Sequence, residues 1–76
     1  MNPQKLEQLR LRQRGLEEDI SRLEAEIARR ERAMQAFSGV EQQRRLAAEA
    51  SDLRGQLEQR LGEWERLVRE LEQVGA

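Results

Sequence analysis

The sequence MQAFSGVEQQ (residues 34–43) separates two long stretches whose patterns are typical of helices. It contains Phe37, the only phenylalanine of the chain, and Gly39, a residue type that costs about 1 kcal/mol relative to alanine inside a helix. Residues 38–41, SGVE, match the capping-box pattern, in which a serine and a later glutamate each accept from the other's backbone N–H. We therefore predict a turn at about residues 37–40, followed by a new helix.

Apolar residues on both sides of this turn recur at alternating spacings of three and four, which marks the a and d positions of a heptad repeat. Eight of the ten positions are apolar on each side. They are Leu6, Leu9, Gln13, Leu16, Ile20, Leu23, Ile27, Arg30, Met34 and Phe37, and then Gln43, Leu46, Ala50, Leu53, Leu57, Arg60, Trp64, Leu67, Leu71 and Val74. The pattern predicts two amphipathic helices, at about residues 3–36 and 41–74. Asn2 before a proline predicts the cap of the first helix.

Two long amphipathic helices joined by a short turn cover their apolar stripes against each other. We therefore predict an all-α fold, a two-helix antiparallel coiled-coil hairpin, with residues 1–76 forming a single domain. If the numbers of facing residues add up to about 80, every a position meets a d position. Trp64 then lies in the core opposite Leu16. Arg30 faces Ala50, so that its stem crosses the small side chain and its guanidinium reaches water.

The charged flanks of this seam agree only in part with the predicted alignment. Glu24 is expected near Arg54, which is favourable. Asp19 is expected near Glu63, which is repulsive. Exposed ion pairs contribute only about 0 to 1 kcal/mol, so these flanks are weak evidence for the alignment.

The composition excludes most catalytic and metal-binding chemistry. The chain has no cysteine and no histidine, so it lacks disulfides, thiol nucleophiles, imidazole bases and the usual zinc ligands. Acidic groups at residues 17–19 lie on a solvated helix face, where nothing would shift their pKa. We therefore expect no catalytic residue, metal or cofactor, and no enzyme. No apolar run reaches the roughly 18 residues of a membrane span, and no signal peptide is recognisable, so a cytoplasmic protein without a membrane partner is expected.

Arginines crowd the two sides of the turn. Residues 29–45 contain five arginines but only Glu31 and Glu41, a local net charge of +3, whereas the whole chain has a net charge of −1. Four of the arginines fall on outward heptad positions, and these are Arg29, Arg32, Arg44 and Arg45. Their forked donors match phosphate oxygens, so these four residues are the candidate nucleic-acid-binding site.

A second candidate surface follows the e positions of the second helix. Ala47, Leu61 and Val68 widen its apolar face beyond what one partner helix covers. This stripe is compatible with a homodimer of hairpins, and equally with broad packing inside one hairpin.

The helical hairpin carries LEAEIA at residues 23–28 and WERL at residues 64–67, about a helix length after the turn. In these features it resembles the C-terminal coiled-coil domain of Uup-type ABC-F ATPases, over about residues 6–73. The resemblance implies a cytosolic accessory domain that contacts DNA or ribosomal RNA and has no ATPase activity of its own. It also implies upstream ATPase modules in the same parent protein, if this chain is an excised domain. The hairpin is also similar to the RNA-contacting C-terminal arm of valyl-tRNA synthetases.

Two functional hypotheses therefore remain open. The first is a non-catalytic accessory hairpin that contacts nucleic acid, either DNA or RNA, through its basic tip. The second is a purely structural coiled coil that mediates oligomerisation or spaces larger parts of a protein.

Overall fold

The first helix, α1, spans Pro3–Ala36 and begins at a side-chain cap. The computed structural model describes residues 2–75. The Asn2 Oδ1 atom accepts a hydrogen bond of 2.9 Å from the Gln4 backbone N–H, and Pro3 occupies the first turn. This cap satisfies a free N–H group at the helix start, and the proline sits where a missing N–H costs nothing. The prediction that Asn2 caps the first helix is confirmed.

The second helix, α2, spans Val40–Gly75, and residues 37–39 connect it to α1. Phe37 has an extended backbone (φ −115°, ψ 142°), and its N–H donates to the Ala33 carbonyl over 3.0 Å. Gly39 has a φ of +124°, a conformation that only glycine adopts without strain. The chain therefore leaves the helical path at Phe37 and reverses direction through Gly39.

Ser38 and Glu41 do not form the predicted capping box. Neither side chain makes a hydrogen bond to the backbone of the other among the described residues. Because α2 begins at Val40, the cap position falls on Gly39, whose carbonyl accepts the Gln43 N–H at 2.9 Å. The Ser38 hydroxyl comes one residue too early to reach the free N–H groups of the helix. The capping-box prediction is therefore wrong.

Hydrogen bonds from the Gln43 side chain connect the start of α2 to the end of α1. The side-chain amide donates to the Met34 carbonyl over 2.7 Å and also to the Phe37 carbonyl. Carbonyls at a helix C-terminus lack partners within the helix, so these two bonds satisfy groups that would otherwise depend on water. The heptad pattern assigns Gln43 to the seam, and its side chain is half-buried there. Its amide additionally caps the preceding helix.

The two helices pack side by side in a rod with dimensions of 56 × 15 × 14 Å. Of the four polar contacts between side chains of α1 and side chains of α2, three identify the alignment of the helices. They are Arg30 Nε to Glu49 Oε1 (3.3 Å), Arg60 Nε to Asp19 Oδ2 (3.6 Å) and Trp64 Nε1 to Glu17 Oε2 (3.0 Å). In each contact the residue numbers add up to about 80, as the predicted alignment requires. The all-α antiparallel hairpin is confirmed.

The core is a narrow seam of apolar side chains between the helices. Its buried members are Leu16, Leu23, Ile27, Leu46, Ala50 and Leu67, of which only Leu23 and Ala50 are buried completely. Most other a and d residues are half-buried, because a single partner helix cannot enclose both sides of a stripe. Phe37 is the exception, with 53% of its surface exposed. The heptad assignment of Phe37 is wrong because helical geometry ends at Ala36, one residue earlier.

Arg30 lies in the seam across a fully buried Ala50, as predicted, but its guanidinium is held by two acids rather than by water alone. Glu26 of the same helix and Glu49 of the other helix both contact it. The hydrogen bond to Glu26 is the main reason that the pKa of Arg30 is raised above its ordinary value. We refer to this cluster as the first arginine clamp.

Arg60 forms a second arginine clamp of the same design. Its Nε atom lies 3.6 Å from Asp19 of α1, and its Nη1 atom lies 3.1 Å from Glu63 of its own helix. This position relieves the predicted repulsion between the two acids, because a cation lies between them. Arg54, which we expected near Glu24, instead pairs with Glu31 at 3.3 Å.

Trp64 lies at the edge of the seam rather than in its centre. The side chain is half-buried, and its indole N–H donates to Glu17 over 3.0 Å. A buried indole needs an acceptor for its N–H, and here the acceptor is an exposed carboxylate at the seam border. Trp64 therefore lies at the predicted seam position, but its side chain is only half-buried, whereas the prediction placed it in the core.

Candidate nucleic-acid interface

The end of the rod where α1 meets α2 brings the four candidate arginines together from both sides of the turn. We call this end the tip and define it as residues 29–45. The side chains of all four candidates are exposed, and these are Arg29, Arg32, Arg44 and Arg45. Residues that are up to 16 positions apart in the sequence thus share one end of the molecule.

The four arginines differ in whether they already form an ion pair with an acidic side chain. Arg29 forms an ion pair with Glu26 at 3.4 Å, so the expectation that all four charges are free is wrong for this residue. Glu26 lies one helical turn before Arg29, close enough for such a pair. Arg32, Arg44 and Arg45 form no ion pair with any described residue. The positive charge open to a ligand therefore comes mainly from these three side chains.

The net charge of the surroundings distinguishes the tip from the rest of the rod. Other exposed arginines, such as Arg10, Arg12 and Arg14, also lack an ion pair among residues 2–75. Residues 1–28, however, contain five basic and six acidic groups, and residues 46–76 contain four and seven. Only the tip has an excess of positive charge. An anionic ligand would therefore be attracted to this end.

The tip also carries an open apolar groove between the end of α1 and the start of α2. We call it the tip groove, and its lining comprises Met34, Phe37, Ser38, Gly39, Val40, Gln43, Arg44 and Ala47. Phe37 is half exposed, and 71% of the Val40 surface is exposed. The sequence pattern concealed this groove, because the heptad repeat placed Phe37 inside the seam. Gly39 is the residue of the sequence that could have indicated the groove, because a glycine at this place predicts that the regular helix, and with it the heptad repeat, is interrupted near Phe37.

The three e-position residues that are compatible with a homodimer line separate hollows rather than one continuous stripe. Ala47 lines the tip groove, Leu61 lines a groove beside Trp64, and Val68 lines a hollow near the open end of the hairpin. Neighbouring e positions are about 10 Å apart along a helix, and the charged Arg54 stands between two of them. The central hollow contains the largest apolar side chains of the three.

Two of the three acids considered for catalysis, Glu17 and Asp19, make structural contacts. Glu17 accepts the indole N–H of Trp64, and Asp19 pairs with Arg60 and lies 3.9 Å from Arg22. Within residues 2–75, no group of acidic side chains is arranged to hold a metal ion. These carboxylates therefore contribute to the alignment of the two helices.

No protein-family model, curated protein or solved structure matches this chain. The resemblance to the ABC-F accessory domain accordingly stays a prediction. Neither helix, over the part of the chain that the structure describes, has a stretch both long and apolar enough to cross a membrane.

Proposed function

We propose that this chain is a non-catalytic hairpin that binds nucleic acid at its tip. The observation that carries the proposal is the group of three exposed arginines at the positively charged end of the rod, Arg32, Arg44 and Arg45, none of which pairs with an acid among residues 2–75. This role matches what the resemblance to an ABC-F accessory domain implies. The upstream ATPase modules and the cytoplasmic location implied by that resemblance belong to the same proposal.

Phosphate groups are the ligand for which these side chains are best suited. A guanidinium presents planar paired donors, and it keeps its charge at every physiological pH. The N-terminus of α2 and the C-terminus of α1 both lie at the tip, so their opposite partial charges largely cancel and the arginines supply the positive charge. About three phosphate contacts would make log K fall against log salt with a slope of about −2.7 on duplex DNA. Binding is therefore expected to be weak and to disappear at high salt.

The test compares two variants that remove the same charge from opposite ends of the rod. The tip variant carries Arg32→Gln, Arg44→Gln and Arg45→Gln. The control variant carries Arg10→Gln, Arg12→Gln and Arg14→Gln, which are also exposed and without ion pairs among the described residues. Binding to fluorescein-labelled DNA and RNA is measured by anisotropy at about 50 mM salt, and helicity is checked by circular dichroism.

We expect the tip variant to lose binding while the control variant keeps most of it. Equal losses in the two variants would show that only total charge matters and that the tip is not the site. An absence of binding by the unchanged protein at high micromolar concentration would reject the proposal altogether.

Homodimerisation is the second candidate function, and the groove beside Trp64 favours it. Leu61 is exposed there and lines the groove together with Ile20 and Trp64. A second hairpin would cover this apolar surface. Sedimentation equilibrium of the unchanged protein and of Leu61→Ser tests this: a dimer that Leu61→Ser dissociates supports it, and a monomer at high micromolar concentration rejects it.

A further inference from the structure

Phe37 is an exposed aromatic side chain on a backbone that the fold holds in place. Its N–H donates to the Ala33 carbonyl, and its own carbonyl accepts from the Gln43 side chain. Both polar groups of the residue are therefore satisfied within the protein, while Phe37 lines the tip groove with 53% of its surface exposed. An aromatic group anchored in this way can meet a ligand with little further loss of freedom.

The surroundings of the ring indicate what kind of ligand it would meet. Arg44 lines the same groove as Phe37, so one groove offers both a cation and an aromatic side chain. A nucleotide has the complementary arrangement, since its phosphate is anionic and its base has a flat π-face. Stacking of a base on an aromatic side chain strengthens binding by about 5- to 150-fold per base.

A membrane surface is a poorer match than a nucleotide. Proteins that bind in the membrane interface do so with a broad apolar face. The rod is only about 15 Å wide, and its tip shows one aromatic and one aliphatic side chain, Phe37 and Val40, beside exposed Gln35 and Ser38. The apolar area is the size of a base rather than of a membrane-binding face.

We propose that Phe37 is a stacking platform for an unpaired base, so that the tip selects single-stranded over double-stranded nucleic acid. In a duplex both faces of each base are covered by its neighbours, and an isolated ring cannot reach them without unstacking the helix. The inference rests on the proposed function, because the arginines would hold the phosphates while the ring holds the base.

The experiment uses three fluorescein-labelled probes of about 12 nucleotides, a length within the range that single-strand-binding folds cover. The first is single-stranded DNA, the second is the same backbone with abasic sites at every position, and the third is a duplex. The variants are Phe37→Leu, which keeps an apolar side chain without a ring, and Phe37→Trp, which keeps a ring. Because Phe37 is largely exposed, both variants should retain the helicity of the unchanged protein.

We expect the base-bearing single strand to bind about 5-fold or more tightly than the abasic strand, and Phe37→Leu to remove that difference. Phe37→Trp should preserve it. Equal binding of all three probes, or no effect of Phe37→Leu, would overturn the stacking role while leaving phosphate binding intact. If no probe binds, both proposals fail. A preference for anionic vesicles over every oligonucleotide would identify the tip as a membrane contact and would also overturn the inference.

Discussion

Leu23→Ala should be among the most damaging single truncations in this hairpin. Leu23 is the largest side chain that the fold buries completely, with 1% of its surface exposed. It lies near the middle of α1, so the cavity cannot be closed by fraying of a helix end. Alanine is the best helix former, and the substitution therefore leaves the local helix intact and removes only packing.

The expected loss follows from the atoms removed. Leucine has three more carbon atoms than alanine, and burial of each methylene-sized group contributes about 0.8 kcal/mol. The cavity left behind adds to this transfer term, which gives a total of about 2–5 kcal/mol. A chain of 76 residues is expected to have a free energy of unfolding of about 4–11 kcal/mol. The small number of buried side chains places this hairpin near the lower end, so Leu23→Ala would remove half of its stability or more.

Leu11→Ala provides the matched control. It is the same substitution in the same helix, but 55% of Leu11 is exposed. Urea unfolding is followed by circular dichroism. Leu23→Ala should lower the unfolding midpoint strongly, whereas Leu11→Ala should change the free energy of unfolding by about 0.5 kcal/mol or less. Equal losses for the two variants would contradict the assignment of the core to the seam between α1 and α2.

Three further substitutions test the turn and the seam by the same unfolding measurement. Gln43→Glu should lower the free energy of unfolding by about 1–3 kcal/mol, because the carbonyls of Met34 and Phe37 lose their hydrogen-bond donor. The control Gln42→Glu adds the same charge to the first turn of α2 and should change the free energy of unfolding little or not at all. Gly39→Ala should lower the free energy of unfolding by about 1–2 kcal/mol because the φ of Gly39 is +124°. Gly55 lies in open space on a helix, so Gly55→Ala should raise the free energy of unfolding by about 1 kcal/mol. Shifts of the same sign in the two variants would refute this view of the turn. Ala50→Leu should cost about 1–3 kcal/mol through overpacking, and an unchanged midpoint would mean that the seam has room there.

The architecture was predictable because it depends on local rules that repeat along the chain. The heptad spacing identifies the face that each helix buries, and Leu16, Leu23 and Ile27 are indeed buried on it. The cap at Asn2 depends only on its immediate neighbours, so the sequence reveals it directly. The alignment of the helices follows from the turn, which fixes how the two repeats face each other.

The details of the turn and the flanks depend on information that the pattern does not contain. A displacement of one residue moved the cap from Ser38 to Gly39 and the ring of Phe37 from the seam to the surface. A long arginine side chain can reach several acids, and the sequence pattern does not tell which of them it contacts. Arg54 pairs with Glu31 rather than with Glu24. For the candidate site, the sequence located the basic end but missed the apolar groove within it. That groove exists because the helix stops before Phe37.

The two arginine clamps favour one alignment of α1 against α2. A slip of the helices by one heptad in one direction would bring Arg30 from Glu49 to Gln56. A slip in the other direction would bring Arg30 to Gln42 and Arg60 to Arg12, where like charges repel. Neither shifted state recovers both clamps, so each clamp adds about 0 to 1 kcal/mol to the alignment that the turn and the apolar seam already favour. A charge reversal at Glu49 or Asp19 would therefore weaken the preference for this alignment without touching the tip groove.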